Sequence, residues 1–278
     1  MKLQYLGTAA AEGWPALFCA CEACKKAEML GGKNIRRRSG AIINDQVLID
    51  FNADIFFAKI SLKLDLSKVK HIFITHAHED HCYPEDLGCF FPGYAHMEDH
   101  SKLHIYGSQF TKDKFDRRFF NRFREGGAED LFEFHVIKPY DTMEVNGLKF
   151  TALPADHGCP ESLFYMVEDA GEKWLYAHDT QYFREENWEF LKAYKFDFVS
   201  LDCTNGPLDS NAYYGHMGFD TNVPTRERML KEGMADENTV FVCHHFSHNG
   251  HMMHEEMEAL MNPKGFLISY DGMVLQGK

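Results

Sequence analysis

Short runs of β-branched and aromatic residues, separated by polar turns, recur along the chain and predict a protein rich in β-strands. Asn44 and Asp45 lie between two such runs, and both residue types favour tight turns, so a hairpin is expected there. The predicted strands are Lys2–Gly7, Ser39–Ile43, Gln46–Asp50, Val69–Ile74, Leu148–Leu153, Leu163–Glu168, Lys173–Ala177, Phe196–Asp202 and Thr239–Cys243.

Helical spacing of apolar residues appears between some of the strands. The segment Thr8–Gly32 is predicted to be a long loop with a short helix after Cys24. Polar residues follow several of the predicted strands, where loops on a rigid scaffold commonly carry function. The other predicted helices are Ala53–Leu62, Phe110–Arg124, Glu185–Tyr194 and Thr225–Gly233.

The densest group of polar residues follows the predicted strand Val69–Ile74 and reads THAHEDH. In an extended segment His76 and His78 point to the same side, because side chains alternate along a strand. Asp80 and His81 follow as the backbone turns, so a second ion has ligands beside the first. We interpret this run as a metal-binding segment rather than as a solvated polar turn.

Composition and charge limit the number of domains, the location and the partners that are expected for this protein. The chain has 278 residues, 45% of them hydrophobic, and a formal net charge of −13, and it has no clear domain boundary, so a single domain over 1–278 is expected. It contains no long apolar run for a membrane span, and its amino terminus lacks the pattern of a signal peptide, so a cytoplasmic protein is expected. The negative charge argues against a nucleic-acid or membrane surface, although bound ions can reverse the field locally.

The run HxHxDH at residues 76–81 resembles the signature of the metallo-β-lactamase superfamily. The resemblance implies a four-layer αββα sandwich with two metal ions where strand ends of both sheets meet. Five imidazoles and two carboxylates suit zinc, manganese or iron. By resemblance the first ion is held by His76, His78 and His157, the second by Asp80, His81 and His245, and Asp179 bridges the two.

A second group of candidate ligands, Cys19, Cys21 and Cys24, forms C-x-C-x-x-C near the amino terminus. Three close thiols and one distant histidine complete a tetrahedral zinc site, and His248 is the candidate fourth ligand. The combination of a dinuclear centre with such a structural zinc resembles the PhnP family of cyclic-phosphate phosphodiesterases. A PqqB-like family of cofactor biosynthesis also carries this segment. The other five cysteines are expected to be buried thiols.

Three further features depend on the resemblance or stay open. His216, in a Gly-His-Met segment, resembles the histidine that contacts phosphate and acts as the general acid in phosphodiesterase branches, with Asp80 close by. Asp50 is either a partner of a metal-binding imidazole or a turn aspartate. One of the arginines at 36–38 is a candidate for a substrate phosphate, the alternative being a solvated surface run.

The resemblance implies a metal-dependent hydrolase that converts a small cyclic phosphodiester, similar to phosphoribosyl 1,2-cyclic phosphate, into a phosphomonoester. Two alternatives stay open, namely an RNA-processing nuclease like tRNase Z and a PqqB-like carrier without catalysis. The acidic balance and the lack of a basic, Gly-rich arm disfavour the nuclease. Dimerisation is suggested only by analogy with the family.

Overall fold

The computed structural model describes residues 1–123, 126–209 and 211–277, in which fourteen strands form two seven-stranded sheets. The first sheet contains β1 (Lys2–Gly7), β2 (Gly40–Ile43), β3 (Val47–Ile49), β4 (His71–Phe73), β5 (Leu103–Gly107), β6 (Phe132–Val136) and, from the end of the chain, β14 (Val274–Gln276). The second contains β7 (Thr142–Val145), β8 (Leu148–Pro154), β9 (Leu163–Asp169), β10 (Glu172–Ala177), β11 (Phe198–Asp202), β12 (Val240–His244) and β13 (Phe266–Ile268).

Each sheet has a parallel half and an antiparallel half. The order of the first sheet is β14-β1-β2-β3-β4-β5-β6, and that of the second is β13-β12-β11-β10-β9-β8-β7. Strands β3 to β6 run parallel, and so do β10 to β13. Because parallel strands end on one edge of a sheet, the loops after β3, β4, β10, β11 and β12 gather at one edge of the sandwich.

Helices cover the outer face of each sheet. Aromatic residues such as Phe73, Phe150 and Tyr165 fill the space between the sheets, and two further apolar clusters lie between each sheet and its helices. This is the αββα sandwich that the resemblance implied. The helices are α1 (Glu22–Leu30), α2 (Ile55–Leu62), α3 (Gln109–Phe115), α4 (Asn121–Phe123), α5 (Ala128–Leu131), α6 (Glu185–Leu191), α7 (Phe219–Lys231) and α8 (His254–Met261).

The predicted strands are confirmed to within about two residues at each end, whereas four helices differ. Helix α6 ends at Leu191, three residues before the predicted Tyr194. Helix α1 begins at Glu22 and so contains Cys24, because Cys21 caps its first turn. Helix α7 begins six residues before the predicted Thr225, with Pro224 inside it. The segment after α3 forms a π-helical turn over Asp116–Phe120, and the predicted end at Arg124 lies outside the described residues. None of the described helices has the length and apolarity needed to cross a membrane.

Candidate metal centre

Strand β4 and the loop after β8 bring three imidazoles together. Nε2 of His76 lies 3.0 Å from Nδ1 of His78, and Nε2 of His157 lies 3.2 Å from the same atom. His157 stands 79 residues further along the chain, in the loop between β8 and β9. The first predicted ligand group is therefore assembled from both sheets.

A second group lies directly beside the first. Nε2 of His81 is 3.0 Å from Oδ2 of Asp80 and 3.0 Å from Oδ2 of Asp179, and Nε2 of His245 is 3.3 Å from the same Asp179 oxygen. The other oxygen of Asp179 lies 3.9 Å from Nε2 of His157 in the first group. The Asp179 carboxylate thus stands between the two groups, where the sequence placed a bridging ligand.

Several residues of this centre adopt backbone conformations that are rare outside glycine. Asp50, Asp179 and His245 follow β3, β10 and β12, and their φ angles are 65°, 51° and 64°. Such conformations cost roughly 1–3 kcal/mol each and persist only where the surroundings impose them. They turn the chain sharply at the strand end, so that the side chain points across the edge of the sandwich.

The donor atoms fit transition-metal ions. Nε2 of His81, Oδ2 of Asp179 and Nε2 of His245 are buried and have no hydrogen-bond partner among the described residues. Burial opposes ionisation of Asp179, but the adjacent His245 and His81 outweigh it and hold the pKa of this carboxyl well below its ordinary value. Burial also holds the pKa of His76 well below its usual range, so the ring stays neutral. An anionic carboxylate and neutral imidazoles are the forms that bind such ions.

The hydrogen bonds of Asp50 distinguish between the two interpretations of this residue. Its Oδ2 lies 2.7 Å from Nδ1 of His81, and its Oδ1 accepts hydrogen bonds from the backbone N–H of Thr75 at 2.8 Å and from the Thr75 hydroxyl at 2.9 Å. A carboxylate at Nδ1 fixes the imidazole tautomer and leaves Nε2 free for an ion. Asp50 is therefore the partner of a candidate metal-binding imidazole, that of His81, and more than a turn residue.

The sequence analysis missed Asp202, which ends β11. Its carboxylate accepts hydrogen bonds from the backbone N–H of Asp179 at 2.9 Å and of Met217 at 3.0 Å, and it lies 2.9 Å from Nδ1 of His216. Asp80 lines the same cleft as His216, as expected, but the carboxylate that hydrogen-bonds to the imidazole is that of Asp202. An acidic residue at the end of a buried strand, as at Asp50, was the available signal.

Asp202 also sets the protonation of His216. Burial disfavours the charged imidazole, but the charge of Asp202 and its hydrogen bond outweigh burial and raise the pKa of His216 to about 9. The ring therefore carries a proton at neutral pH in the absence of bound cations. Thr204, two residues beyond Asp202, places its hydroxyl 2.7 Å from Nδ1 of His245 and so orients that ligand.

These side chains face a cleft of about 270 Å³. His216 and five of the candidate ligands form its floor, and Glu12, Tyr213, Ser247 and Asn249 contribute to its walls. Neither a lysine nor an arginine stands among the described residues that line the cleft. The positive charge at this site therefore depends on His216 and on any bound cations.

The cysteine cluster is assembled as a separate site. Nδ1 of His248 lies 3.8 Å from the sulfur of Cys19 and 3.5 Å from that of Cys21, and Cys24 completes a group of four donors within 4.8 Å of one another. The backbone N–H of Cys24, at the start of α1, lowers the pKa of Cys21 to about 6. Burial raises the pKa of Cys24 to about 12, so a cation is needed to stabilise its thiolate. Three sulfurs and one imidazole match a tetrahedral zinc site.

Two expectations about neighbouring residues have different outcomes. The arginines at 36–38 do not line the cleft: Arg36 is buried and donates to the Ser269 carbonyl at 2.6 Å, and Arg38 pairs with Asp54 at 2.6 Å. Arg37 donates to the Leu6 carbonyl at 2.7 Å, so all three guanidinium groups fasten the chain to the scaffold, and the structure gives no support to the expectation that one of them reaches a substrate phosphate. His244, adjacent to His245, is buried against Ser39, which directly precedes β2 of the other sheet. This is in keeping with the preference for His245 as the ligand.

Comparisons with known proteins agree with this geometry. Three similar solved structures cover this chain almost completely. A diphosphatase described as new in the PhnP family matches with a TM-score of 0.75 and 22% identity over 99% of this chain and 96% of its own. Zinc-bound PqqB from Methylobacterium extorquens matches with a TM-score of 0.75 and 16% identity over 100% of both chains. The short form of human tRNase Z has a TM-score of 0.67 and 17% identity over 99% of both chains.

At these identities the three structures establish the fold alone. Among curated protein sequences none matches this chain significantly. The family assignment rests instead on a sequence model of the beta-lactamase superfamily domain, which matches residues 46–262 and so covers most of the chain and all seven residues of the dinuclear ligand set. The chain therefore belongs to the metallo-β-lactamase superfamily of hydrolases and resembles its PhnP family.

Proposed function

We propose that this protein is a metal-dependent phosphodiesterase that hydrolyses a small cyclic phosphodiester, of the phosphoribosyl 1,2-cyclic phosphate type, to a phosphomonoester. The observation that carries the proposal is the pairing of His216 with Asp202 at 2.9 Å, on the floor of the cleft that holds the ligand set. A protonated imidazole beside two metal groups supplies what phosphodiester hydrolysis needs besides a nucleophile, namely a proton for the leaving oxygen.

The chain's own residues have distinct tasks. His76, His78 and His157 would hold one divalent ion and Asp80, His81 and His245 the other, with Asp179 between them. Two such ions supply Lewis acidity and an activated water. Asp50 and Thr204 orient His81 and His245, so that their Nε2 atoms stay directed at the centre.

His216 then serves as the proton donor. Its Nδ1 is held by Asp202, which leaves Nε2 as the nitrogen for the substrate. Asp202 stabilises the imidazolium before the transfer, and the hydrogen bonds from the Asp179 and Met217 backbone hold Asp202 itself in place. The proton passes to the departing alkoxide of the sugar, which is too basic to leave unprotonated.

The cleft favours a small substrate over a long nucleic acid. Its volume of about 270 Å³ suits a sugar phosphate, and its described walls offer Glu12, Tyr213 and Asn249 but no cationic side chain. Proteins that bind RNA track its phosphates with arginine and lysine. An acidic wall on a chain with a net charge of −13 lacks that means of binding.

The test is turnover by metal-loaded protein on a panel of phosphodiesters. We expect hydrolysis of bis(p-nitrophenyl) phosphate and of a ribose 1,2-cyclic phosphate, and no processing of a precursor tRNA. Asp179→Ala should abolish turnover, whereas Asp65→Ala, on an exposed turn far from the centre, should retain it. Processing of tRNA without hydrolysis of the cyclic phosphate would favour the nuclease, and no turnover of any phosphodiester would favour a carrier.

A further inference from the structure

A third group of metal-binding side chains lies on β5 and β6, away from both sites described above. His104 pairs with Glu133 in the parallel register of these strands, and Tyr106 pairs with His135. The two histidines and Glu133 therefore share one face of the sheet. The dinuclear centre lies in the loops beyond the carboxyl ends of the parallel strands. Strand β6 is the outermost strand of its sheet, so this group stands at an edge.

The three donor groups converge on one point. Nδ1 of His104 lies 2.9 Å from Nε2 of His135, and the Glu133 oxygens lie 3.8 Å from the former and 3.9 Å from the latter. The imidazole nitrogens of the first metal group are 3.0 and 3.2 Å apart, so the spacing is the same. Donor atoms that each stand about 2.0–2.1 Å from a common ion in tetrahedral geometry are separated by about 3–3.5 Å. The two imidazole nitrogens are already about that close, whereas the Glu133 carboxylate lies a few tenths of an ångström beyond this range and would move inwards to bind the ion.

The chemistry of the group also suits a cation. Burial, in spite of the adjacent Glu133, lowers the pKa of His135, so its ring is neutral at pH 7 and keeps a lone pair. Two facing imidazole nitrogens are satisfied either by one shared proton or by a cation between them. Glu133 adds a negative charge next to this pair, which a shared proton does not require.

The group is open to solvent and yet held in position. The side chains of His104, His135 and Glu133 are 30%, 32% and 49% exposed, so an ion can enter directly. His71 stacks on His104 with ring centroids 5.3 Å apart, and Tyr106 stacks on His135 at 4.6 Å. These rings limit the rotation of both imidazoles and so preorganise the donors.

We propose that His104, His135 and Glu133 form a further metal site, which takes one divalent transition-metal ion of the zinc, nickel or cobalt class. Two imidazoles and one carboxylate give three protein ligands, and the remaining coordination positions face solvent and are filled by water. The site is independent of the proposed phosphodiesterase chemistry, because its ligands belong to neither of the other two groups.

The experiment measures zinc binding by the full-length protein with native mass spectrometry and titration calorimetry. Wild type should bind one more zinc ion per chain than His104→Ala or His135→Ala at micromolar free zinc. Glu133→Gln, which keeps the shape of the side chain, should weaken the extra site at least tenfold. His96→Ala removes an exposed histidine elsewhere and should bind as wild type does.

Circular dichroism and melting temperature show whether each variant is folded, and Glu133→Gln serves as the test if an alanine variant is not. Equal zinc stoichiometry and affinity in wild type and in the folded variants would overturn the proposal. Because the readout is binding and not turnover, this result would leave the proposed function untouched. Conversely, a protein that turns over no phosphodiester but loses one zinc ion on His104→Ala would contradict the proposed function and support the further metal site.

Discussion

His216 is the proposed proton donor, and a single substitution tests this role. His216→Ala should retain the ions of the dinuclear centre, because the imidazole lies with Asp202 and outside the seven-ligand set. Turnover of a ribose cyclic phosphate should fall by roughly 10²–10⁴-fold if the ring donates the proton. The loss should be much smaller with p-nitrophenyl substrates, whose leaving group departs without a proton. Rates and bound metal are measured together. Equal losses on both substrates, with metal retained, would make His216 a phosphate-positioning residue.

A second residue-scale effect concerns His254, which lies on α8 far from the proposed chemistry. Burial, helped by the charge of Arg36, lowers its pKa from 6.5 to about 4. The unfolded chain therefore binds a proton more readily than the native chain, so native stability is complete above pH 6.5 and declines as the pH falls towards 4. At pH 5 this group costs about 2 kcal/mol of the free energy of unfolding.

His254→Gln should consequently show a smaller fall in melting temperature between pH 7.5 and pH 5 than wild type. His251→Gln, at an exposed histidine three residues earlier, is the control and should keep the wild-type slope. Bound metal is measured at each pH, because the metal ligands also titrate in acid. Parallel curves for all three proteins would rule out the proposed titration of His254.

Single residues also differ in how far the sequence could identify them. The HxHxDH run could be found because its ligands lie within six residues. Asp202 ends a buried strand, which was the available signal, but its role consists of contacts with Asp179, Met217 and His216, which only folding brings together. The run at residues 36–38 misled for the same reason, since the partners of Arg36 include Ser269, 233 residues away.

Among the elements, the loop before α7 carries the sharpest constraint. Gly215 has a φ of +86°, its carbonyl lies 3.1 Å from Nδ1 of His157, and a Cβ atom at this position would stand 2.6 Å from that nitrogen. Gly215→Ala should displace the His157 ring, weaken binding of the first ion and lower the free energy of unfolding by about 1–2 kcal/mol. Metal content, turnover and denaturant unfolding measure the three effects.

Gly158→Ala is the matched control, because it follows His157 directly and a Cβ atom there meets nothing within 4 Å. This variant should keep nearly all of the metal and activity. If Gly215→Ala and Gly158→Ala behaved alike, the contact between Gly215 and His157 would not matter for metal binding, turnover or stability.

The loop after β12 links the two predicted metal sites, since His245 and His248 both belong to it. Cys21→Ser should remove zinc from the cysteine site and lower the melting temperature, because structural zinc contributes directly to folding free energy. Turnover should fall less steeply, through displacement of the loop. Cys89→Ser should change none of these quantities, because Cys89 is exposed, whereas the other four cysteines expected to be buried are so. An unchanged melting temperature and zinc content in Cys21→Ser would contradict the predicted structural zinc site.

At this scale the sequence predicted most strands because their runs of apolar residues are short and bounded by turns. The start of α7 was missed because Pro224 interrupts the helical pattern, and a proline usually ends or kinks a helix. Five strands had no predicted counterpart, namely β5, β6, β7, β13 and the final strand β14. Val274–Gln276 is too short to stand out, and it is defined by pairing with β1 at the other end of the chain.

For the whole molecule, two sheets that meet at one edge explain why residues 79 positions apart, His78 and His157, become neighbours. The αββα arrangement could be inferred from the resemblance, but the contents of the cleft could not. Its lack of a cationic side chain among the described lining residues emerges only when loops from both sheets are in place. Under the proposed function, bound cations and protonated imidazoles would supply the positive charge of the cleft, and the substrate's phosphate is expected to bind there.

The most direct test of the central claim is a single turnover of a ribose 1,2-cyclic phosphate in ¹⁸O-labelled water, followed by ³¹P NMR of the product. Hydrolysis at phosphorus predicts one ¹⁸O atom in the phosphate group of the phosphomonoester and none in the sugar. The label should appear with metal-loaded wild type and be absent with Asp179→Ala. Label in the sugar hydroxyl, or no product from protein that carries both ions, would contradict the account.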